Sequence, residues 1–238
     1  MSGRIAAVLL AAFALVALGS AQQPEDEGKD TKYTYKAMCI VDGKYTVASI
    51  GCRQEIAIGK WQNSVNASGW TFFEAETFDI VSPEIQAYAA GYLEGLLSRT
   101  VLKYHLINNE DYCTNFTGYC NRLNNFLGEN QKWIASKLAQ VPKDDIYWGA
   151  VNRTYYQVSG MVDGYEDRPI NPRITYELHP IVYLNMNGDF YDLEKKLNKT
   201  RDPTEPDGHC SGFVKVAPNN SDLFISQVTM SGFQQMLR

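Results

Sequence analysis

Cys210 is the residue of this sequence whose type and position best suit covalent chemistry. The chain has five cysteines, and in an oxidising compartment an odd count leaves one thiol for an intermolecular link or for a reaction. Cys210 is far from the other four and follows residues 200–209, a polar segment with two prolines that predicts an exposed loop. If the peptide bond between His209 and Cys210 were cleaved, the new α-amino group, with a pKa of about 7.7–8.0, would lie beside the thiol. That amine can act as the base for the nucleophile of its own residue.

Position alone does not establish this role, because a cysteine at the beginning of a strand is usually a small buried hydrophobic residue. The sequence predicts strands over 210–216 and 223–228, joined by the turn-forming residues 218–222. A nucleophile at Cys210 would therefore be held in place by the hairpin that follows it.

The other four cysteines suggest disulfides. Cys113 and Cys120 are close in sequence, with Gly118 between them, so we expect them to close a local loop. Cys39 and Cys52 flank a predicted hairpin and form a second candidate pair, which the spacing leaves open.

The N-terminus has the order of regions found in a secretory signal peptide. Arg4 precedes an apolar run over residues 5–18, and small residues then lead to Ala21. This run is shorter than the roughly 20 apolar residues that a membrane-spanning helix needs, which favours cleavage after Ala21 over retention as an anchor. We therefore expect a protein of the secretory pathway that is not transmembrane, with residues 22–32 as a disordered mature N-terminus.

Composition and sequons agree with this route. The formal net charge is −5 and no cluster of lysine and arginine is present, which does not favour nucleic acid as a partner. The three histidines, at positions 105, 179 and 209, lack the spacing of metal ligands, so we expect neither a metal site nor a cofactor. Five Asn-x-Ser/Thr sequons behind a signal peptide predict a glycoprotein. The predicted glycosylation sites are Asn66, Asn115, Asn152, Asn198 and Asn219.

The predicted elements give an α+β protein in which a helix-rich block lies between two hairpins. Asp42-Gly43 between two β-rich runs is a strong signal for the first hairpin. Gly91 and Gly95 lie four apart inside a predicted helix, which indicates close packing against another element. The predicted elements are strands over 33–41 and 45–50, strand and turn over 55–79, helices over 82–106, 121–139 and 143–162 (the last ended by Asp163-Gly164), and a short helix through 197.

Residues 208–216, Gly-His-Cys-Ser-Gly-Phe-Val-Lys-Val, resemble the segment around the nucleophile of the phospholipase B-like family, the lamina-ancestor-type lysosomal proteins. Further stretches resemble the same family in the same order, and together they cover most of the chain after the signal peptide. These stretches are 90–95, 147–148 with 157–165, 184–189 with 192–193, 221–224, and 230–233 with 236–238.

The resemblance implies an N-terminal-nucleophile hydrolase of the αββα type, in which self-cleavage before Cys210 exposes the nucleophile. It implies acyl hydrolysis of phospholipids, at ester or amide bonds, and lipid degradation as the role. The chain is expected to be the N-terminal part of such a protein. Residues 33–209 would form the helix-rich part of the hydrolase domain, and 210–238 the start of the nucleophile-bearing sheet, with a C-terminal part as partner. The alternative is a non-catalytic truncated secreted glycoprotein, or a binding fragment of the same family.

Overall fold

The computed structural model describes residues 32–49, 51–109, 113, 116–142, 144–199, 210–230 and 232–235. The predicted signal peptide, nearly all of the predicted disordered segment 22–32, and the loop 200–209 lie outside these ranges. The described part mixes helices and strands, as predicted. Its elements are β1 Thr34–Val41, β2 Lys44–Ala48, β3 Glu55–Ser64, α1 Val65–Ser68, β4 Trp70–Thr77, α2 Pro83–Leu97, α3 Arg99–Asn109, α4 Thr117–Leu138, α5 Ile146–Tyr165, α6 Pro180–Asn185, α7 Phe190–Lys196, β5 Ser211–Val216 and β6 Leu223–Val228.

The first four strands form one antiparallel sheet in the order β2-β1-β3-β4. The predicted hairpin is confirmed: Asp42 and Gly43 both have positive φ, 50° and 72°. A two-residue turn of this kind matches the twist of the strands that it joins. The disulfide between Cys39 and Cys52 links β1 to the segment that precedes β3.

Helix α2 packs on one face of this sheet. Its buried side chains Tyr88 and Leu93 meet Met38 of β1 and Ile56 of β3 in the main hydrophobic core. Gly59 of β3 allows the approach, because a Cβ there would lie 3.0 Å from side-chain atoms of α2. The sheet and α2 therefore form the first two layers of the fold.

The predicted helix over 82–106 is wrong as a single element. Helix α2 ends at Leu97 and α3 begins at Arg99, with Ser98 between them at φ −96° and ψ 11°. The buried Ser98 hydroxyl donates a 2.6 Å hydrogen bond to the carbonyl oxygen of Glu94. Serine that bonds back to the preceding turn competes with helical hydrogen bonding and bends helices. The apolar spacing continues through this break, so the spacing alone did not reveal it.

The predicted close packing of Gly91 and Gly95 is confirmed at a crossing between α2 and α5. A Cβ on either glycine would lie 1.9 or 2.1 Å from a backbone oxygen of α5. The same holds for Gly160 and Gly164 of α5: a Cβ on either one would lie 2.1 Å from a backbone oxygen of α2. Four glycines thus let the two helix backbones touch.

This crossing also corrects the predicted end of the third helix. Asp163-Gly164 was expected to terminate it, but α5 continues to Tyr165. Glycine weakens a helix, yet here it lies at the crossing, where any larger residue would collide with Tyr92 of α2. The packing requirement outweighs the helix-breaking tendency.

Asp163 of α5 is hydrogen-bonded to Tyr88 of α2, which in turn holds the segment after α5. The Tyr88 hydroxyl donates a 2.6 Å hydrogen bond to one Asp163 carboxylate oxygen and accepts one from the backbone nitrogen of Asn171. An Arg168 guanidinium nitrogen lies 3.6 Å from the other oxygen and also bonds Glu177 at 2.6 Å. Burial, with the Asp163 hydrogen bond, raises the pKa of the Tyr88 phenol. The hydrogen bond from Arg168 lowers the pKa of Glu177 below its ordinary value.

His105 of α3 gives the fold a dependence on pH. Its side chain is 4% exposed, and its Nδ1 has no hydrogen-bond partner among the described residues. Burial lowers the pKa of His105 below its ordinary value of 6.5. The unfolded chain therefore binds a proton more readily than the folded one, and stability contributed by the neutral ring is lost as the pH falls below about 6.5.

We expect the free energy of unfolding to fall between pH 7.5 and pH 5, and to fall less in His105→Gln, which cannot be protonated. Urea denaturation of both proteins at each pH measures this difference. Carboxylates that titrate in the same range affect both proteins equally, so they cancel in the comparison. Equal pH slopes in the two proteins would contradict the role assigned to His105.

Candidate active site

Cys210 lies directly before β5, and its side chain is exposed and free of any disulfide. Strand β5 pairs antiparallel with β6 in a separate two-stranded sheet, from Ser211 opposite Val228 to Val216 opposite Leu223. The predicted hairpin is confirmed, with the difference that its first paired residue is Ser211. Cys210 therefore extends beyond the last pair, at the open end of the hairpin.

The turn of this hairpin follows from its residue types. Asn219 and Asn220 both adopt positive φ, 58° and 54°, a conformation that asparagine tolerates better than most residues. The backbone nitrogen of Ala217 bonds the carbonyl oxygen of Asp222 at 2.9 Å, and the Asp222 carboxylate accepts from the nitrogen of Leu223 at 2.8 Å. These bonds fix the register that places Cys210.

Strand alternation puts one polar side chain on the face of the hairpin that continues to Cys210. Side chains two apart share a face, so Cys210 shares its face with Gly212 and with the residue paired to Gly212, which is Gln227. A Cβ on Gly212 would meet nothing within 4 Å, so the space between Cys210 and Gln227 is open. Gln227 is thus the polar group that the register brings to this face.

Both faces of the hairpin are exposed, although both carry apolar side chains. Val214 and Ile225 on the Cys210 face are 67% and 71% exposed, and Phe213 and Val228 on the other face are each 57% exposed. Within the described ranges no element covers either face. Within the described ranges, the Cys210 thiol and the strand that supports it are therefore open to solvent.

The chain is anchored on both sides of Cys210. Before it, the Lys199 ammonium bonds Glu194 at 2.7 Å and lies 5.1 and 5.3 Å from the ring centroids of Phe116 and Tyr119. After it, Gln235 donates a 2.6 Å hydrogen bond to the side-chain oxygen of Asn109 at the end of α3. The predicted cleavage site includes His209, which lies outside the described residues.

A groove of about 640 Å³ lies beside the edge strand β2. Residues 43–47, Tyr92, Pro169 and Ile170 line it. This lining contains no cysteine, histidine or carboxylate side chain. Cys210 remains the candidate nucleophile.

The structure joins Cys113 to Cys120 and Cys39 to Cys52, the pair that the sequence left open. Disulfides of this kind are typical of proteins in an oxidising compartment. Across the described ranges, no three histidine, cysteine, aspartate or glutamate side chains come together as a set of metal ligands. No helix of those ranges has the length and apolar character to cross a bilayer.

Four of the five predicted glycosylation sites lie on described residues. Asn66, Asn198 and Asn219 are exposed. Asn152 is half-buried on α5, with its amide nitrogen 3.5 Å from a carboxylate oxygen of Glu84. Asn115 lies outside the described residues. Asn198, like Asn219, has a positive φ, so asparagine at these two positions also serves the turn geometry.

Two of the stretches that carry the family resemblance build the scaffold. Residues 90–95 lie on α2 and 157–165 on α5, and their glycines make the backbone contact between those helices. Sequence reasoning inferred close packing for the first stretch but missed that the second is its partner. The repeated four-residue glycine spacing in both stretches was the signal that could have paired them.

Comparison with known proteins gives a consistent result. The family model for phospholipase B matches residues 57–238. A Caenorhabditis elegans protein named "Putative phospholipase B-like 2" is 67% identical over 216 residues, which is 89% of this chain and 37% of the relative. The human protein of the same name is 34% identical over 208 residues, or 84% of this chain and 34% of the relative. A Dictyostelium discoideum relative, "Phospholipase B-like protein D", is 30% identical over 196 residues, or 77% of this chain and 34% of the relative.

The chain therefore spans about a third of the length of these curated relatives. The family model covers most of the chain, including the segment with Cys210 and both helices of the glycine crossing. On this evidence the chain belongs to the phospholipase B family.

Proposed function

We propose that this chain provides the nucleophile-bearing N-terminal part of an acyl hydrolase that acts on phospholipids, with Cys210 as the nucleophile. The observation that carries the proposal is the free, exposed thiol at the open end of a regular hairpin, inside the region that matches the family model. The relatives' names supply the substrate class, a phospholipid. Ester bonds are the primary target, and amide bonds follow the same chemistry.

The first step is cleavage of the chain itself. The Cys210 sulfur attacks the carbonyl carbon of His209, the peptide C–N bond breaks, and the nitrogen takes up a proton to become a free amine. Water then hydrolyses the thioester, which leaves a carboxylate on His209 and a free thiol on Cys210. No external reductant or oxidant is required, and the new amine lies beside the sulfur as its base.

The second step is acyl transfer from the lipid. The Cys210 amine takes the proton of the thiol, and the thiolate attacks the ester carbonyl carbon. The alcohol of the remaining lipid leaves and takes that proton, and water hydrolyses the acyl thioester to a fatty acid. The side-chain amide of Gln227, on the same face of the hairpin, is the group that we propose to orient the reacting carbonyl.

The rest of the proposed αββα fold would cover the hairpin. The apolar side chains on its two faces suit a sheet that packs against a second sheet on one side and helices on the other. An isolated two-stranded hairpin is at best marginally stable in water. We therefore assign the activity to a protein that also contains the region of the relatives that lies outside their match to this chain.

The proposed location is outside the cytoplasm, secreted or in the lysosomal lumen. The two disulfides support an oxidising route, and the N-terminal sequence pattern supports secretion. Glycosylation is proposed at the five sequons, first at the exposed Asn66, Asn198 and Asn219.

A second candidate function is that of a non-catalytic glycoprotein fragment. The uncovered faces of the hairpin favour it for this chain by itself, because no described element excludes water from Cys210. Activity in the extended protein, together with its absence from the chain alone, separates the two candidates. The extended protein is this chain continued by the C-terminal region of the 67% identical nematode relative.

The test of the nucleophile is to trap the acyl enzyme. We expect the extended protein to release fatty acid from phosphatidylcholine and to give a Cys210 peptide that carries the acyl mass, which hydroxylamine removes. Cys210→Ser should lower hydrolysis by at least about 100-fold. Mass spectrometry of the quenched reaction makes the measurement. An acyl group on another residue, or full activity of Cys210→Ser, would contradict the assignment.

A further inference from the structure

A second exposed apolar surface lies where α4 ends and α5 begins. We name it the α4–α5 corner and define it by Trp133, Lys137, Ile146, Tyr147 and Trp148. Its rings form one continuous cluster: the centroids of Trp133 and Trp148 are 5.6 Å apart, and those of Tyr147 and Trp148 are 5.4 Å apart. The ammonium of Lys137 lies 5.9 Å from the centroid of Trp133.

The corner leaves its largest apolar side chains in water. Ile146 is 89% exposed, Tyr147 69% and Trp133 52%. Asp145 caps α5 by accepting a 2.8 Å hydrogen bond from the nitrogen of Trp148, which sets the first turn of the helix at this edge. Single exposed apolar residues are normal, but a contiguous exposed group indicates a binding surface.

Its composition separates the corner from the β5–β6 hairpin. The exposed apolar residues of the hairpin strands are phenylalanine, valine, leucine and isoleucine, which are typical of a sheet covered by protein. The corner combines tryptophan, tyrosine and lysine with one projecting isoleucine. Tryptophan and tyrosine concentrate at the headgroup level of bilayers, and lysine extends its charge to that level while its stem stays in apolar surroundings.

The charges around the corner are mixed. Lys132 is paired with Glu129 at 2.7 Å, and the exposed Asp144 lies in the turn before α5. The corner therefore has no basic field that would require anionic lipid, and the Lys137 ammonium would complement the phosphate of a zwitterionic headgroup.

We infer that the α4–α5 corner binds the surface of a phospholipid bilayer, with Ile146 and the rings of Tyr147 and Trp133 at the depth of the headgroups and Lys137 against phosphate. The inference rests on the proposed function, since that surface is the source of the substrate. The corner holds the protein at the lipid surface, and Cys210 takes no part in the contact.

The test is vesicle flotation with the secreted chain and vesicles of dialkyl ether-linked phosphatidylcholine, which no esterase can hydrolyse. We expect the chain to float with the vesicles. Ile146→Glu with Tyr147→Ser should lower its partition coefficient at least about tenfold, because these side chains would no longer leave water. Both positions are highly exposed, and the variant should keep the thermal unfolding curve of the unchanged chain.

The matched control is Phe224→Ser with Ile225→Glu on the hairpin, which removes exposed apolar residues of similar size. It should change the partition coefficient less than about twofold. An equal or larger loss from the hairpin variant, or no flotation of the unchanged chain, would overturn the inference. Sedimentation velocity covers the remaining alternative: if the corner variant converts a dimer to a monomer and leaves flotation unchanged, the corner binds a second copy of the chain.

Failure here and failure of the proposed function give different results. Flotation with ether-linked lipid does not require hydrolysis. Loss of flotation in the corner variant therefore supports the corner as the binding surface even if Cys210→Ser retains hydrolysis. Conversely, a protein that hydrolyses lipid but never floats refutes the corner alone.

Discussion

Cys210→Ala is expected to abolish cleavage between His209 and Cys210 in the extended protein and to abolish acyl hydrolysis with it. Alanine has no group that can attack the preceding carbonyl, and a chain that stays intact never gains the free α-amine. The unchanged protein should yield two fragments, the second of which begins at Cys210. Gel electrophoresis and N-terminal sequencing of the purified protein, prepared without added protease, give the measurement.

Cys210→Ser is the matched variant for this experiment, because a hydroxyl can perform the same shift more slowly. We expect slow cleavage in Cys210→Ser and none in Cys210→Ala. If Cys210→Ala is cut at the same bond and at the same rate, an external protease makes the cut. If it also retains full hydrolysis, Cys210 is not the nucleophile.

Gly160→Ala is expected to destabilise the fold by about 3 kcal/mol, one of the largest effects available from a single added methyl group. The new Cβ would lie 2.1 Å from the backbone oxygen of Tyr88, a distance that carbon and oxygen cannot share. Backbone atoms of α2 cannot rotate away as a side chain would, so the two helices must separate. For a domain of this length the melting temperature should fall by about 6–12 °C.

Gly128→Ala is the matched control. Gly128 lies inside α4, and a Cβ there would meet nothing within 4 Å. Alanine is favoured over glycine in a helix by about 1 kcal/mol, so this variant should be as stable as the unchanged protein or slightly more so. Helical circular dichroism during urea denaturation compares the three proteins. Equal stability of Gly160→Ala and Gly128→Ala would show that α2 and α5 do not approach as described.

Signals between near neighbours were sufficient to predict part of the fold. Asp42-Gly43 predicted the first hairpin because two consecutive residues with positive φ need residue types that tolerate that conformation. The second hairpin followed in the same way from its β-rich runs and the asparagines between them. The close packing of Gly91 and Gly95 also followed from their types and spacing, although the partner did not. Cys210 was singled out by the odd number of cysteines together with its separation in sequence from the other four.

Contacts that the spacing of residue types does not reveal decided the rest. The break at Ser98 depends on a hydroxyl that bonds back to Glu94 where the chain changes direction, while the apolar spacing runs on without interruption. The continuation of α5 through Gly164 depends on a helix about 70 residues earlier in the chain, whose backbone leaves no room for a side chain. Exposure of the hairpin and of the α4–α5 corner is likewise a property of what packs beside them, because a run of apolar residues has the same sequence pattern whether it is covered or left in water.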